Sequence, residues 1–302
     1  MRLSVVIPTR GRPEMLAGCL QSLADQSEGS ADSEVIVVDD GSPDPVEPVV
    51  QSFARRGLRA ACIRQPQGGL NAARNRGVAE SRGEIIAFLD DDTLVSPGWE
   101  KAIADGFAQT HCQALGGRIT LKLEGELPRW VTQKRLTYLS EYDLGPQPLP
   151  ISGPPLPFGA NFAVLRSALP GSQPFRSGLD RVGKTLVSNG EIELLGRLLA
   201  TGLPIIYWPD AEVVHRVPAE RLTKQWFHRR AVAQGVSDIL SQPPSAVPYP
   251  LRLAREVVRA GRALPILVRR LAEGRGSFDA LLWLASSRAR IAELRRLYGR
   301  LS

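Results

Sequence analysis

The chain has 302 residues, 43% of them hydrophobic, with three cysteines and a formal net charge of +7. That length holds one large α/β domain, or one domain with an appendage, and the apolar share excludes a disordered or fibrous chain. Residues 1–217 carry 22 Lys and Arg against 25 Asp and Glu, whereas residues 218–302 carry 16 against 6, so the basic excess belongs to the tail alone.

The first hundred residues alternate strand and helix signals. Leu3–Ile7, Glu34–Asp39 and Ile85–Leu89 are β-branched runs apolar on both parities, and Ala60–Arg64 is a weaker one. Such runs suit strands covered on both faces of a parallel sheet. Pro13–Gln26, Val46–Gly57 and Gly69–Ser81 read as the intervening helices, with Pro13 in a first turn that needs no N–H there. Ser96-Pro97 repeats the N-cap and first-turn signal for a helix reaching Thr110. Further on, Ala114–Leu123 reads as a strand, and Leu144–Phe158, with six prolines, as an extended loop. Glu191–Thr201 sets Leu194, Leu195, Leu198 and Leu199 on one helical face, and Ile205–Trp208 and Glu212–His215 follow as two short strands. From Arg221 the pattern is helical, broken at Gln242-Pro243-Pro244 and Pro248-Tyr249-Pro250. The expected architecture is a doubly wound α/β sheet over 1–217 with a C-terminal helical appendage over 218–302, its ligand site at the carboxyl ends of the strands.

Several functions are excluded by what the sequence lacks. No C-x-x-C spacing joins Cys19, Cys62 and Cys112, so neither a zinc knuckle nor a disulfide framework is indicated, and a reducing, cytoplasmic setting is the expectation. Met1–Pro8 is too short for a signal peptide, and no stretch approaches the ~18 apolar residues of a membrane span. Neither G-x-G-x-x-G after the first strand nor G-x-x-x-x-G-K-[ST] occurs.

Four polar clusters fall where the expected crevice lies: Pro8-Thr9-Arg10, Asp39-Asp40-Gly41-Ser42, Gly68–Asn75 with Arg74, and Asp90-Asp91-Asp92. Three adjacent carboxylates repel one another, and a divalent cation with a taste for hard oxygen, Mg²⁺ or Mn²⁺, removes that penalty; a solvated turn is the plainer alternative. Asp39 and Asp40 read either as an Asx turn leaving a strand or as acceptors for a base N–H or a ribose hydroxyl. Arg74 reads as a helix-surface cation or as one facing a diphosphate.

Taken together, VVIPTRGRPEMLAGCLQSL, VIVVDDGSPD, GGLNAARNRGVAESRGEIIAFLDDDTLVSPGW, FGANFAVLRSAL and NGEIELLGRLLATGLPIIYWPDAEVVHRV resemble the family 2 glycosyltransferases of the GT-A fold, in the family's order and over about residues 3–217. The resemblance implies transfer of a sugar, with inversion, from a nucleoside-diphosphate donor (a UDP-sugar first, with GDP-mannose and dTDP-rhamnose open) to a glycan or lipid-linked acceptor hydroxyl. It carries Pro8, Thr9, Arg10, Asp39 and Asp40 to nucleoside binding and Arg74 to the phosphates. Asp90 and Asp92 become the ends of the D-x-D motif, with Asp91 between them. Asp92 and His215 become ligands of Mn²⁺ or Mg²⁺, and Gly159 and Asn161 line the sugar pocket. In place of the family's two adjacent acids stands Gly190-Glu191, which leaves Glu191 as the general base, with Glu193 in reserve. Without the resemblance Glu191 also reads as a first-turn acid complementing a helix dipole. Trp130 and Trp208 read as core residues before sugar-stacking ones.

Gln225-Trp226 does not complete the Q-x-x-R-W motif of processive synthases, so single transfers are expected. In the tail, Arg259, Arg262, Arg269, Arg270, Arg295, Arg296 and Arg300 lie among apolar residues and Trp283. They form either a solvated rim on a helical cap or a face for anionic lipid on the inner side of the plasma membrane. Nucleic acid is not expected, because no aromatic residues are interleaved with the charge. Two further readings compete: a sugar nucleotidyltransferase, whose Gly-rich phosphate loop and lysine residues 8–14 lack, and an inactive nucleotide-binding scaffold.

Overall fold

The structure is a computed structural model that describes residues 1–26, 33–179, 185–242, 248–273 and 278–298, leaving out the side chains of 263, 266, 267, 270 and 271. Arg300, Pro243, Pro244 and the Arg270 side chain, singled out in the sequence, lie outside the described part. The chain divides into two compact units: residues 1–124, 139–177 and 190–217 form the first, and residues 125–138, 178–189 and 218–302 the second.

The first unit is built on a mixed sheet. Its strands are β1 (Leu3–Thr9), β2 (Glu34–Asp40), β3 (Ala60–Gln65), β4 (Ile85–Leu89), β5 (Thr93–Val95), β6 (Ala114–Leu123), β7 (Leu149–Ile151), β8 (Asn161–Leu165) and β9 (Ile205–Val217). The order is β3-β2-β1-β4-β8-β6-β9-β5, with β7 also pairing β9. β3, β2, β1 and β4 run parallel, whereas β8 is antiparallel to both β4 and β6. Residues of β1 and β4 are buried on both parities, as the uninterrupted apolar runs require. Helices α1 (Pro13–Ala24), α2 (Glu47–Ala54), α3 (Leu70–Glu80) and α4 (Trp99–Thr110) connect the early strands. Short α5 (Gln133–Leu136) belongs to the second unit, and α6 (Gly190–Ala200) precedes β9.

Three expectations change. Ile205–Trp208 and Glu212–His215 are one strand, β9, because β6 pairs with both halves; a register shift between Gly117 and Ile119 absorbs the extra residues around Pro209. The proline-rich stretch contains β7, where Pro150 sits opposite Ile206 at an edge that tolerates a missing N–H. Ser96-Pro97 forms the turn before α4 rather than its first turn; the helix starts at Trp99, after Gly98 at φ 79°, a left-handed conformation that glycine adopts without strain.

In the second unit, α7 (Lys224–Leu240), α8 (Tyr249–Gly261), α9 (Ala263–Ala272) and α10 (Phe278–Tyr298) follow one another. Thr223 caps α7 by accepting from the Trp226 N–H. Trp130, half-buried, packs edge-on to Phe227 and Phe278 here, whereas Trp208 is buried in the core of the first unit.

Candidate active site

The site lies in the first unit and begins where β4 ends. Leu89 is the last apolar residue of the strand, and the Thr93 N–H and hydroxyl both donate to the Asp90 carbonyl, closing a tight turn over the three aspartates. β5 then pairs antiparallel with β9, Thr93 opposite His215, and the Arg216 N–H donates to the Asp92 carbonyl. That register sets Asp92 beside His215: Nε2 stands 3.3 Å from Asp92 Oδ1, and both residues are buried. His215 Nδ1 lies 2.8 Å from the Leu139 carbonyl oxygen. A carbonyl only accepts, so Nδ1 carries the hydrogen, and in the neutral ring Nε2 is the lone-pair nitrogen facing the carboxylate. An imidazole oriented by a backbone carbonyl, with an oxygen ligand opposite, fits a divalent cation of the Mg²⁺ and Mn²⁺ kind. Among the described residues no group of three or more His, Cys, Asp or Glu side chains is gathered as round an ion.

The three aspartates have separate surroundings. Asp90 keeps a quarter of its side chain exposed and lies 3.6 Å from Arg74. Asp91 is wholly buried, accepts from the Thr9 hydroxyl at 2.6 Å and pairs with Arg12. Burial pushes the Asp91 carboxyl upward; Arg12 pulls it back, while Asp92 and Asp90 add to the rise. Arg12 reaches Asp92 as well, at 2.9 Å. Burial works against charge on that guanidinium, yet Asp91, Asp92 and Asp90 together raise its pKa. Arg10, the arginine expected to bind donor, is exposed, and it is Arg12, two residues on, that meets the acids. Thr9, carried by the resemblance to nucleoside binding, spends its hydroxyl on Asp91 in the interior.

Arg74 is buried and forms the second focus. It projects from α3, pairs with Glu191 at 3.2 Å and stands over the Phe175 ring. The expected phosphate cation therefore bridges two carboxylates, Asp90 and Glu191. Gly159 makes room for it, since a Cβ there would overlap the guanidinium. Glu191 opens α6 and is buried, whereas Glu193 turns to Arg176 and Arg197. The glycine ahead of Glu191 has a steric cause: a Cβ on Gly190 would run into the Asn71 side chain, which donates to the Arg176 carbonyl.

The remaining carboxylates are engaged by their own chain. Asp40 accepts from the N–H groups of Gly68 and Gly69 at 2.8 and 2.9 Å and from Gln65, fixing the loop into α3. Asp39 accepts from the Ser42 N–H, the Asx turn that was one of its two readings, and from Arg64. Pro8 is buried in β1, paired with Val38. Asn161 is corrected outright. It is fully buried, its amide donates to the Arg118 and Ala211 carbonyls, and its oxygen accepts from the Trp99 indole. Every polar atom of that side chain is spent on joining β8, β6, β9 and α4, so it does not line a sugar pocket. Arg12 and Asn71 were missed because nothing local distinguishes a helix-flanking arginine or asparagine from a surface one.

The chain is similar to known proteins in sequence and in fold. The family description "Glycosyl transferase family 2" matches residues 4–169. Pre-mycofactocin glycosyltransferase of Mycobacterium tuberculosis (strain CDC 1551 / Oshkosh) is 28% identical over 97% of this chain; the chain spans 58% of that protein's length. Validoxylamine A glucosyltransferase of Streptomyces hygroscopicus subsp. limoneus is 39% identical over 33% of the chain and 22% of its own. A mannosyltransferase from Pyrobaculum calidifontis, solved with GDP-Man and Mn²⁺, shares the fold with a TM-score of 0.63 at 18% identity, over 99% of this chain and 88% of that one. A family match over more than half the residues, on a mixed sheet of the GT-A type with acids at the mouth of β4, settles the kinship: the chain belongs to glycosyl transferase family 2.

Proposed function

We propose that the protein is an inverting glycosyltransferase that moves one sugar from a nucleoside-diphosphate donor to an acceptor hydroxyl in glycan assembly. The observation that carries this reading is the run of contacts Glu191–Arg74–Asp90, continued through the turn to Asp92 and His215, all within one compact unit. Asp90 contacts the nucleoside beside the end of β1, where Pro8 stands, with Asp40 shaping the loop next to it. Asp92 and His215 hold the divalent cation, Mn²⁺ before Mg²⁺ because an imidazole is in the set. When bound, that cation supplies charge neutralisation for a departing diphosphate.

Glu191 carries the proton chemistry. Its carboxylate accepts the acceptor's hydroxyl proton as the acceptor oxygen bonds to the anomeric carbon; the bond from that carbon to the phosphate oxygen breaks, and its electron pair leaves with the diphosphate. Arg74, buried in the room that Gly159 leaves, pairs with Glu191 and would orient its carboxylate. Inversion would follow from attack on the face of the sugar opposite the leaving diphosphate. A UDP-sugar is the first donor to test and GDP-mannose the second. Glu191→Gln lowers turnover by about 10²–10⁴-fold while nucleotide affinity is kept. The assay is release of nucleoside diphosphate from candidate donors with Mn²⁺; full turnover by Glu191→Gln removes it from this role, and binding without turnover of any donor favours the inactive scaffold.

The acceptor we propose is a glycan or a lipid-linked saccharide at an anionic membrane. No helix among the described residues is long and apolar enough to cross a bilayer, and the contact we propose is a peripheral one. In support, Leu251, Val257 and Val258 of α8 and Leu264 and Val268 of α9 are exposed, beside Arg255, Arg259, Arg262 and Arg269.

A further inference from the structure

We propose that Arg12 is the cation that holds Asp92 before a divalent ion does, so that guanidinium and ion compete for this carboxylate; this rests on the assignment of Asp92 and His215 as the ion's ligands. The two ends of the guanidinium fork have different partners, Nη1 on Asp92 Oδ2 at 2.9 Å and Nη2 on Asp91 Oδ1. Arg12 can therefore release Asp92 while keeping Asp91, which Thr9 anchors from its other oxygen.

Mobility is distributed to suit the exchange. Asp91 and Asp92 keep 0% and 4% of their side-chain surface, whereas Arg12 keeps 40%. The arginine is the N-cap of α1: its backbone is held, with the carbonyl taking the Leu16 N–H, while its side chain makes no cap hydrogen bond, and it follows Gly11, whose φ of 63° is a turn conformation. The carboxylates are thus fixed, and the cation between them can swing without opening the core. Its charge answers a definite need, because two buried carboxylates side by side with no cation are strongly destabilising. Asp92 presents opposite oxygens to its two neighbours, Oδ2 to Arg12 and Oδ1 to His215. An ion entering from the His215 side meets a carboxylate whose charge is already shared, and a guanidinium within a few ångströms repels it.

The outcome is a measurable antagonism. Mn²⁺ binding to the full chain, without nucleotide, is followed by loss of the free-ion electron paramagnetic resonance signal. Arg12→Ala is expected to bind Mn²⁺ about tenfold more tightly than the wild type, and Asp92→Asn to lose that binding in either background. Arg12→Gln, neutral and similar in length, gives the same result should the alanine variant not fold. In metal-free buffer Arg12→Gln melts below the wild type, and Mn²⁺ raises its melting temperature by more than it raises the wild type's. A merely structural arginine would lower the melting temperature and leave Mn²⁺ affinity unchanged or weaker, and that result overturns the competition. No Mn²⁺ binding by wild type and Arg12 variants alike, or undiminished binding by Asp92→Asn, overturns the ligand assignment and the competition with it.

Discussion

Glu100 shows how one buried side chain can set a pH dependence without a part in the chemistry. It lies in the first turn of α4, buried, and accepts one hydrogen bond, from the Ser33 hydroxyl at 3.0 Å. Burial raises its pKa, with Ser33 pulling the other way. A carboxyl raised in the folded state keeps its proton where the unfolded chain has lost it. Its contribution to stability is therefore complete below the unfolded value and is lost as pH rises through the folded one. Glu100→Gln is expected to be more stable than the wild type at pH 8, with the difference shrinking toward pH 4, as read from denaturant midpoints at both values. Gly190 argues the same point by size. Restoring the family's acid with Gly190→Asp forces a side chain into Asn71 and costs roughly 1–3 kcal/mol. Adding Asn71→Ala recovers part of that loss, and strict additivity in chemical denaturation of the double variant would disprove the contact.

At the scale of elements, the position of each strand end decides what its residues can do. β5 is only three residues long, yet its pairing with β9 is what sets Asp92 against His215. The tail raises a different question, because α8 buries none of its residues although its sequence is strongly two-faced. Leu251 and Val258 lie two turns apart on the exposed side, with Arg255 and Arg262 along one edge. If this face meets anionic lipid, replacing both Leu251 and Val258 by Asp lowers binding to phosphatidylglycerol vesicles by tenfold or more in a flotation assay. Equal binding by both proteins would exclude this face. No residue of α8 is given a role in the proposed chemistry, so donor hydrolysis in solution is expected not to change.

For the whole molecule, the first unit brings together residues from 8 to 215 along the chain, so ligands of the site act on the folded form only. A nucleoside diphosphate with Mn²⁺ at about a hundred times its dissociation constant adds ~2.7 kcal/mol to folding, which moves the melting temperature by roughly 5 °C. Thermal shift with UDP and with GDP, each with and without Mn²⁺, should reveal a rise that needs both ligand and metal and that Asp92→Asn loses. A rise with nucleotide in the absence of metal, unchanged by Asp92→Asn, would count against the metal's part in donor binding.

The strands and helices of the first hundred residues were legible in the sequence because their signals are local: β-branched runs, Pro13 at a helix start, helical spacing of leucines. The acids at 90–92, Glu191 and His215 were legible through the resemblance, which fixes order and spacing. What chemistry each could do was not. Asn161 reads as a pocket residue until Trp99, Arg118 and Ala211 are seen to use all its hydrogen bonds, and nothing in the sequence tells that Arg12 sits on the aspartates. Likewise β9 reads as two strands until β6 is laid along it. Spacing along the chain is encoded residue by residue, whereas hydrogen-bond partners and ion pairs join groups tens to more than a hundred positions apart, and only packing decides which of several equivalent side chains arrives first.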